Sequence, residues 1–300
     1  MRESILKLKK VLASADCILI GAGAGLSTAA GYDYAGARFL KYFSDFQERF
    51  GITDLYTGGF YPFPTREIFW AWWSRSIYIN RYAPMPPSDV YVNLLRLVDG
   101  RDYFVLTTNV DHTFQRAGFD KERLFYTQGD FGLFQSSRPM GASAGKTYDN
   151  EEHIRAMLRT QGFSFGADGA LLLPAHGNPL MEIPTTLIPY CPDDGAEMTT
   201  HLRVDASFVE DAGWRAAAAR YQDFLQHTKG RQTLLLELGV GMNTPGIIKY
   251  SFWRMATERM DVTHAEVSLS KTYLPAEIRS RSIVINADIA SVLHAIEKSA

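Results

Sequence analysis

Six short runs along the chain are apolar at nearly every position: Cys17–Ile20, Tyr103–Thr107, Leu124–Tyr126, Thr233–Leu238, Ala265–Leu269 and Ser282–Ile285. Runs this short without a polar face suit parallel strands covered by helices on both sides. Beside them the spacing becomes helical. Ser4–Leu12 puts Ile5, Leu8 and Leu12 on one face. Asp89–Val98 follows the start signal Pro86-Pro87-Ser88. Trp214–His227 is alanine-rich and stops before Gly230, and Asp288–Lys298 is the last helical pattern. Strand alternating with helix predicts an α/β fold, a doubly wound parallel sheet of Rossmann-like type.

Two stretches break the alternation. Residues 39–82 carry 15 of the 38 aromatics, including Trp70, Trp72 and Trp73, and residues 136–213 are rich in Gly, Pro, Ser and Thr with few strand runs. Both read as insertions that pack into a smaller lobe. The predicted division is therefore 1–38, 83–135 and 214–300 for the sheet domain, and 39–82 with 136–213 for the lobe. Large rings dominate core burial, so most of these aromatics read as core. The alternative is that some line a groove for a substrate with an apolar arm.

Composition narrows the class. The 300 residues are 46% hydrophobic and 21% charged, the balance of a globular chain rather than a disordered or fibrous one. A net charge of -2 lacks the footprint of a nucleic-acid binder and the polybasic patch of a membrane anchor. Two cysteines make neither a disulfide framework nor a four-cysteine zinc site, which predicts a reducing, cytoplasmic setting. The first apolar stretch is broken at Asp16, so no leader is expected. No run reaches the roughly 20 apolar residues that span a bilayer.

The candidate chemistry sits in four loops that leave predicted strands. Gly21-Ala-Gly-Ala-Gly-Leu-Ser-Thr-Ala-Ala-Gly31 follows the first, and such a turn lets backbone approach a pyrophosphate. The strict dinucleotide fingerprint fails, because Leu26 or Thr28 stands where its last glycine belongs. Thr107-Thr-Asn-Val-Asp111, Tyr126-Thr-Gln-Gly-Asp130 and Leu238-Gly-Val-Gly-Met-Asn-Thr-Pro245 leave three further strands. Ligands of open α/β sheets bind at this rim.

Here the chain resembles the sirtuin family. Gly23-Ala-Gly-Leu-Ser-Thr-Ala-Ala-Gly31 is similar to its cofactor loop. Thr108-Asn-Val-Asp111 with Ala117-Gly118 is similar to its nicotinamide-pocket motif. Gln128-Gly129 falls where sirtuins place His-Gly, and Gly239–Thr244 with Ile285-Asn286 resemble the loops that hold the adenosine half of NAD. The resemblance implies a Rossmann-like domain carrying a helical module and a zinc-ribbon-like module. It implies NAD contacts from Gly23, Ala24, Gly25, Leu26, Ser27, Gly31, Asp33, Tyr34, Arg38, Asn109, Asp111, Gln128, Gly239, Val240, Gly241, Asn243, Thr244 and Asn286. Asn109, Asp111 and Gln128 would carry the chemistry. Asp111 would bond the nicotinamide carboxamide, its alternative being an N-cap on the next helix. Asn109 would bond the ribose or an ordered water.

The departures specify the reading further. Tyr32-Asp-Tyr34-Ala-Gly-Ala-Arg38 replaces Ile-Pro-Asp-Phe-Arg, Thr108 replaces a Gln, and Gln128 replaces the catalytic His. Together these resemble the macrodomain-linked (class M) microbial sirtuins. That group implies ADP-ribosyl transfer to a protein acceptor, a lipoyl-carrier protein, with a macrodomain hydrolase as functional partner. A carboxamide does not titrate, so Gln128 orients a hydroxyl without taking its proton. Asp130 is read as a turn residue or a substitute base, and His112 as helix surface. His176, which precedes Gly177, lies in an insertion. The four zinc-ribbon positions fall near Ser136, Met140, Cys191 and Asp194, of which one is cysteine, so no metal is expected. The lobe would then be held by packing around Phe208 and Trp214. The alternatives are an NAD-dependent deacylase, an NAD glycohydrolase and a non-catalytic NAD sensor.

Overall fold

The computed structural model describes residues 2–242, 245–270 and 273–298. Its eleven strands among the described residues are β1 (Cys17–Ala22), β2 (Tyr103–Thr107), β3 (Leu124–Tyr126), β4 (Gly129–Ser136), β5 (Tyr148–Asp149), β6 (Ser164–Phe165), β7 (Leu171–Leu172), β8 (Met198–Leu202), β9 (Thr233–Leu238), β10 (Val262–Ser268) and β11 (Ser282–Asn286). Two compact units are built from them, residues 1–31, 87–128 and 213–300 in one and residues 32–86 and 129–212 in the other.

The first unit holds a six-stranded parallel sheet in the order β11-β10-β9-β1-β2-β3. Every residue of β1, β2 and β9 is buried, as the unbroken apolar runs predict. Cys17 and Leu19 face one side with Leu235, under the helices Ala212–His227 and Lys249–Glu258. The period of two turns Ile18 and Ile20 to the opposite face. The helices Arg2–Ser14, Val90–Val98 and Ile289–Lys298 follow the predicted patterns within two residues. Strand order reverses between β1 and β9, the switch point at which doubly wound sheets hold ligands beyond their carboxyl ends. No helix among the described residues is long and apolar enough to cross a membrane.

The second unit combines the antiparallel sheet β5-β4-β8 with the β6–β7 pair and several helices. The aromatic-rich segment forms the helices Gly36–Phe50, Leu55–Gly59 and Arg66–Ile77. Asp54 Oδ1 accepts from the Tyr56 and Thr57 amides, and Thr65 Oγ1 accepts from the Ile68 amide, so two of these helices begin on side-chain caps. Phe39, Phe43, Phe46, Trp70 and Trp72 are fully buried, and these rings are core. Arg75 lies at 0% exposure among them. Its guanidinium donates to both Asp45 carboxylate oxygens at 2.8 Å, to Gln161 Oε1 and to the Leu180 carbonyl, and it lies over Phe46 and Phe163.

The unit boundaries differ from the predicted ones. Residues 32–38 cluster with the aromatic unit because the Leu55 amide donates to the Tyr34 carbonyl and Arg38 Nη2 donates to the Ile79 carbonyl. Residues 129–135 do so because β4 pairs with β5 and β8. Phe208 stacks on His201 in the second unit, whereas Trp214 packs edge-on against Phe125 in the first.

Candidate functional site

The loops after β1 and β9 meet glycine against glycine. The Gly23 amide donates to the Leu238 carbonyl at 3.0 Å and the Gly25 amide to the Gly239 carbonyl at 2.9 Å. A Cβ on Gly25 would lie 2.7 Å from Gly239 Cα, and Gly239 has φ +62, so both glycines are sterically required. This changes the expected donor pattern. The Leu26 amide also bonds internally, to the Gly23 carbonyl, and Leu26 is fully buried. The amides of Gly23, Gly25 and Leu26 therefore shape the cradle and are not donors for a phosphate. Ala24 is exposed at its edge.

Beneath the loop lies a saturated polar network. Ser27 Oγ donates to Asp111 Oδ2 at 2.6 Å. A hydroxyl has one proton, so Tyr91 OH, 3.0 Å away, donates to Ser27 Oγ, as does Asn109 Nδ2 at 3.1 Å. Ser27 was expected to touch the cofactor. At 0% exposure, its hydroxyl is fully used within the protein, where it orients Asn109 and Asp111. Asp111 Oδ1 accepts from the Thr113 amide at 2.9 Å, an i to i+2 turn bond just ahead of the helix Thr113–Arg116, whose cap position is His112, while its other oxygen faces Ser27. His112, between them, takes φ +64. Tyr91 lies in a helical pattern with nothing polar in its spacing to mark it.

Asn109 spends both Nδ2 hydrogens inside the protein, one on Ser27 and one on the Gly23 carbonyl at 3.1 Å, and its amide bonds Thr107 Oγ1. Its Oδ1 accepts no hydrogen bond from a described residue. Gln128 is half-buried, and its carboxamide has no hydrogen-bond partner among the described residues. The neighbouring Thr127 carbonyl accepts from Trp214 Nε1 at 3.1 Å. Val240 is buried and Gly241 exposed. Asn286 Nδ2 donates to the Ser270 carbonyl, tying β11 to the loop after β10. Asn243 and Thr244 lie outside the described residues.

In the second unit Arg38 is a structural clamp. It bonds the Asp33 and Ile79 carbonyls and Asn80 Oδ1, and lies over the Tyr32 ring. Burial pushes its pKa down, with the nearby tyrosines opposing that shift. It grips the π-helical turn Tyr78–Tyr82, a local distortion common at functional sites. Asp33 is exposed and Tyr34 half-buried. Asp130 Oδ1 accepts from Arg81 Nε at 2.9 Å and from the Gly132 amide at 2.7 Å. The turn role fits this geometry better than that of a base. His176 is exposed.

Two of the four positions expected to match a zinc ribbon, Ser136 and Asp194, are hydrogen-bonded to each other. Ser136 Oγ donates to Asp194 Oδ2 at 2.7 Å, and the Ala196 amide donates to Asp194 Oδ1. Hydrogen bonds from Ser143, then Ser136 and the Ala196 amide, hold the Asp194 carboxyl well below the usual range. Cys191 is buried, and its thiol donates to Tyr148 OH at 3.2 Å. Among the described residues the two groupings with metal-ligand spacing, Cys17/Asp102/His227 and Glu237/His264/Glu266, lie elsewhere.

The sheet order and the paired glycine loops define a sirtuin-type fold. The chain superposes on a solved structure of Sir2 bound to an acetylated peptide with a TM-score of 0.58, at 14% identity and 98% coverage of both chains. A Sir2–p53 peptide–NAD+ structure gives a TM-score of 0.55 at 14% identity, covering 98% of this chain and 97% of the other. No protein-family model matches the chain. Over 287 residues, 95% of its length, it is 32% identical to the protein ADP-ribosyltransferase of Staphylococcus aureus, of which it covers 84%. Over 247 residues it is 30% identical to a Fusarium oxysporum protein named "Probable bifunctional ADP-ribose hydrolase/ADP-ribosyltransferase", matching 80% of this chain and 38% of that longer protein. The chain belongs to the sirtuin-type protein ADP-ribosyltransferases.

Proposed function

We propose that this enzyme cleaves the nicotinamide–ribose bond of NAD and transfers ADP-ribose to a protein acceptor of the lipoyl-carrier type. The observation that carries the reading is Gln128, a half-buried carboxamide without a hydrogen-bond partner among the described residues, where a titrating base would otherwise stand. The likeness to a Sir2 structure that holds NAD+ supports NAD as cosubstrate.

Asn109 Oδ1 is an acceptor suited to a ribose hydroxyl, with its amide group already locked by Gly23 and Ser27. Asp111 is oriented from both sides and keeps lone pairs for the nicotinamide amide. Nicotinamide departs from C1′ with the bonding electron pair, through an oxocarbenium-like transition state. The acceptor's lone pair then forms the new bond to C1′, and its proton goes to solvent. None of these steps needs a base at Gln128. Deacylation does, and it is expected to fall by the roughly 10²–10⁴ that general-base catalysis supplies.

The test pairs two assays on one enzyme batch with NAD: deacetylation of acetyl-lysine peptides, and labelling of a carrier protein with and without its lipoyl group. Labelling that requires the lipoyl group, with little deacetylation, is expected. Robust deacetylation with no labelled carrier overturns the reading.

A further inference from the structure

Across three neighbouring strands of the first unit, Glu266 of β10, Glu237 of β9 and Gly21 of β1 stand side by side in register. In-register residues of a parallel sheet point to the same face. Two carboxylates therefore lie next to one another at 0% and 1% exposure, an arrangement that is unstable without a cation. Lys249 supplies it. Its Nζ donates to Glu237 Oε1 and, at 3.0 Å, to Glu266 Oε1, with 2% of the side chain exposed. His264 Nε2 lies 3.4 Å from Glu237 Oε2.

Gly21 explains how the lysine reaches this depth. A Cβ there would lie 2.4 Å from Ile248 Cγ2 and 2.7 Å from the Phe252 ring. The residues flanking Lys249 thus seat on bare backbone, and the first glycine of the loop motif serves helix docking rather than phosphate contact. Gly239 and Lys249 are consequently each held in place. Gly239 is locked against Gly25, and Lys249 is locked into the carboxylate pair.

We infer that Lys249 is a positioning residue for NAD: its buried ion cluster with Glu237 and Glu266 fixes the end of β9, and with it Gly239 and Val240, where the adenosine half of the cosubstrate is received. This rests on the reading of NAD and of those two residues given above. A hydrophobic replacement of a whole buried ion cluster is commonly neutral or stabilising, whereas removing one partner is strongly destabilising. The difference allows fold and positioning to be separated.

The experiment measures dissociation constants for NAD and for ADP-ribose by calorimetry, together with melting temperature. Lys249→Met alone is expected to melt lower. The triple variant Glu237→Leu, Lys249→Met, Glu266→Leu should recover stability yet bind both ligands about tenfold more weakly, because the end of β9 then lacks its directional anchor. Lys249→Arg keeps the charge on a differently shaped arm and should weaken both ligands by about threefold or more with a melting temperature near wild type. Wild-type affinity in the triple variant, or in a stable Lys249→Arg variant if the triple does not fold, overturns the inference. A wild-type protein that binds neither ligand overturns the NAD reading itself, and the inference with it.

Discussion

Ser27 Oγ donates to Asp111 Oδ2 across 2.6 Å, joining the short helix Ala24–Ala29 after β1 to the loop after β2 at the carboxyl ends of adjacent strands. One buried hydroxyl thereby orients two side chains from a different loop, since Asn109 donates to the same oxygen. The chemistry assigned to Asn109 and Asp111 depends on this junction.

Asn109→Ala removes the open Oδ1 acceptor and the bond to the Gly23 carbonyl. The protein should still fold, while single-turnover nicotinamide release falls by about 10²-fold or more, the scale seen when a preorganised polar group is removed. A rapid-quench assay measures it, and an unchanged yield removes Asn109 from the mechanism.

Tyr91→Phe deletes the donor to Ser27 Oγ and keeps the ring packed edge-on against Phe114. Loss of one neutral hydrogen bond is worth about 0.5–1.5 kcal/mol, so stability and kcat/KM for NAD should each drop modestly. Ser27→Ala should do more harm, because it strands Asp111 and Asn109 together. Equal effects of the two changes would contradict the network's direction.

Gln128→Ala should weaken ADP-ribosyl transfer through lost positioning, without a change in the pH profile, since a carboxamide does not titrate. Gln128→His is expected to introduce some peptide deacetylation. A pH-dependent limb that disappears in Gln128→Ala would instead place Gln128 in contact with a titrating group.

Purified protein should carry less than one equivalent of zinc by elemental analysis. Cys191→Ser should alter stability by about 1 kcal/mol or less, because the segment around it is held by Ser136, Asp194 and backbone bonds. Stoichiometric zinc lost only in Cys191→Ser would restore the metal reading.

Burial, then Asp102 beside it, pushes the Cys17 thiol up to about 11 from 9.0. A thiol raised in the fold remains neutral there while the unfolded thiol ionises. Stability is therefore lost progressively as pH rises from 9 toward 11, and is unaffected by this group below 9. Denaturation midpoints across this range should slope less in Cys17→Val than in wild type. Iodoacetamide at pH 8 should label Cys17 only on unfolding.

Much of the fold was legible along the chain. Each run such as Thr233–Leu238 is apolar on both faces, and only a strand covered on both sides tolerates that. The glycine loops were legible too, because a sharp strand-to-helix turn leaves few residue choices. Their use was not. Gly21, Gly23 and Gly25 read alike in sequence, yet Gly21 makes room for Ile248 and Phe252 whereas Gly23 and Gly25 fit against Gly239. Glutamates inside apolar runs, at Glu237 and Glu266, were the available sign of a buried ion cluster. Their partner Lys249 was unmarked, because an ammonium reads as surface until a helix lays it over two strands.

The alternation of strand and helix, the rim that carries the polar loops and the carboxamide at Gln128 follow from local periodicity and residue type, and these can be read along the chain. Contacts made only in the folded chain turned the Ser27 hydroxyl into a hub, completed it with Tyr91 and made Arg38 a clamp. They also decided where the units divide. Each of those outcomes is a contact between residues far apart in the chain, such as the 84 positions between Ser27 and Asp111. Hydrogen-bond capacity is finite, so what a side chain can offer a ligand depends on which partners the fold has already brought to it.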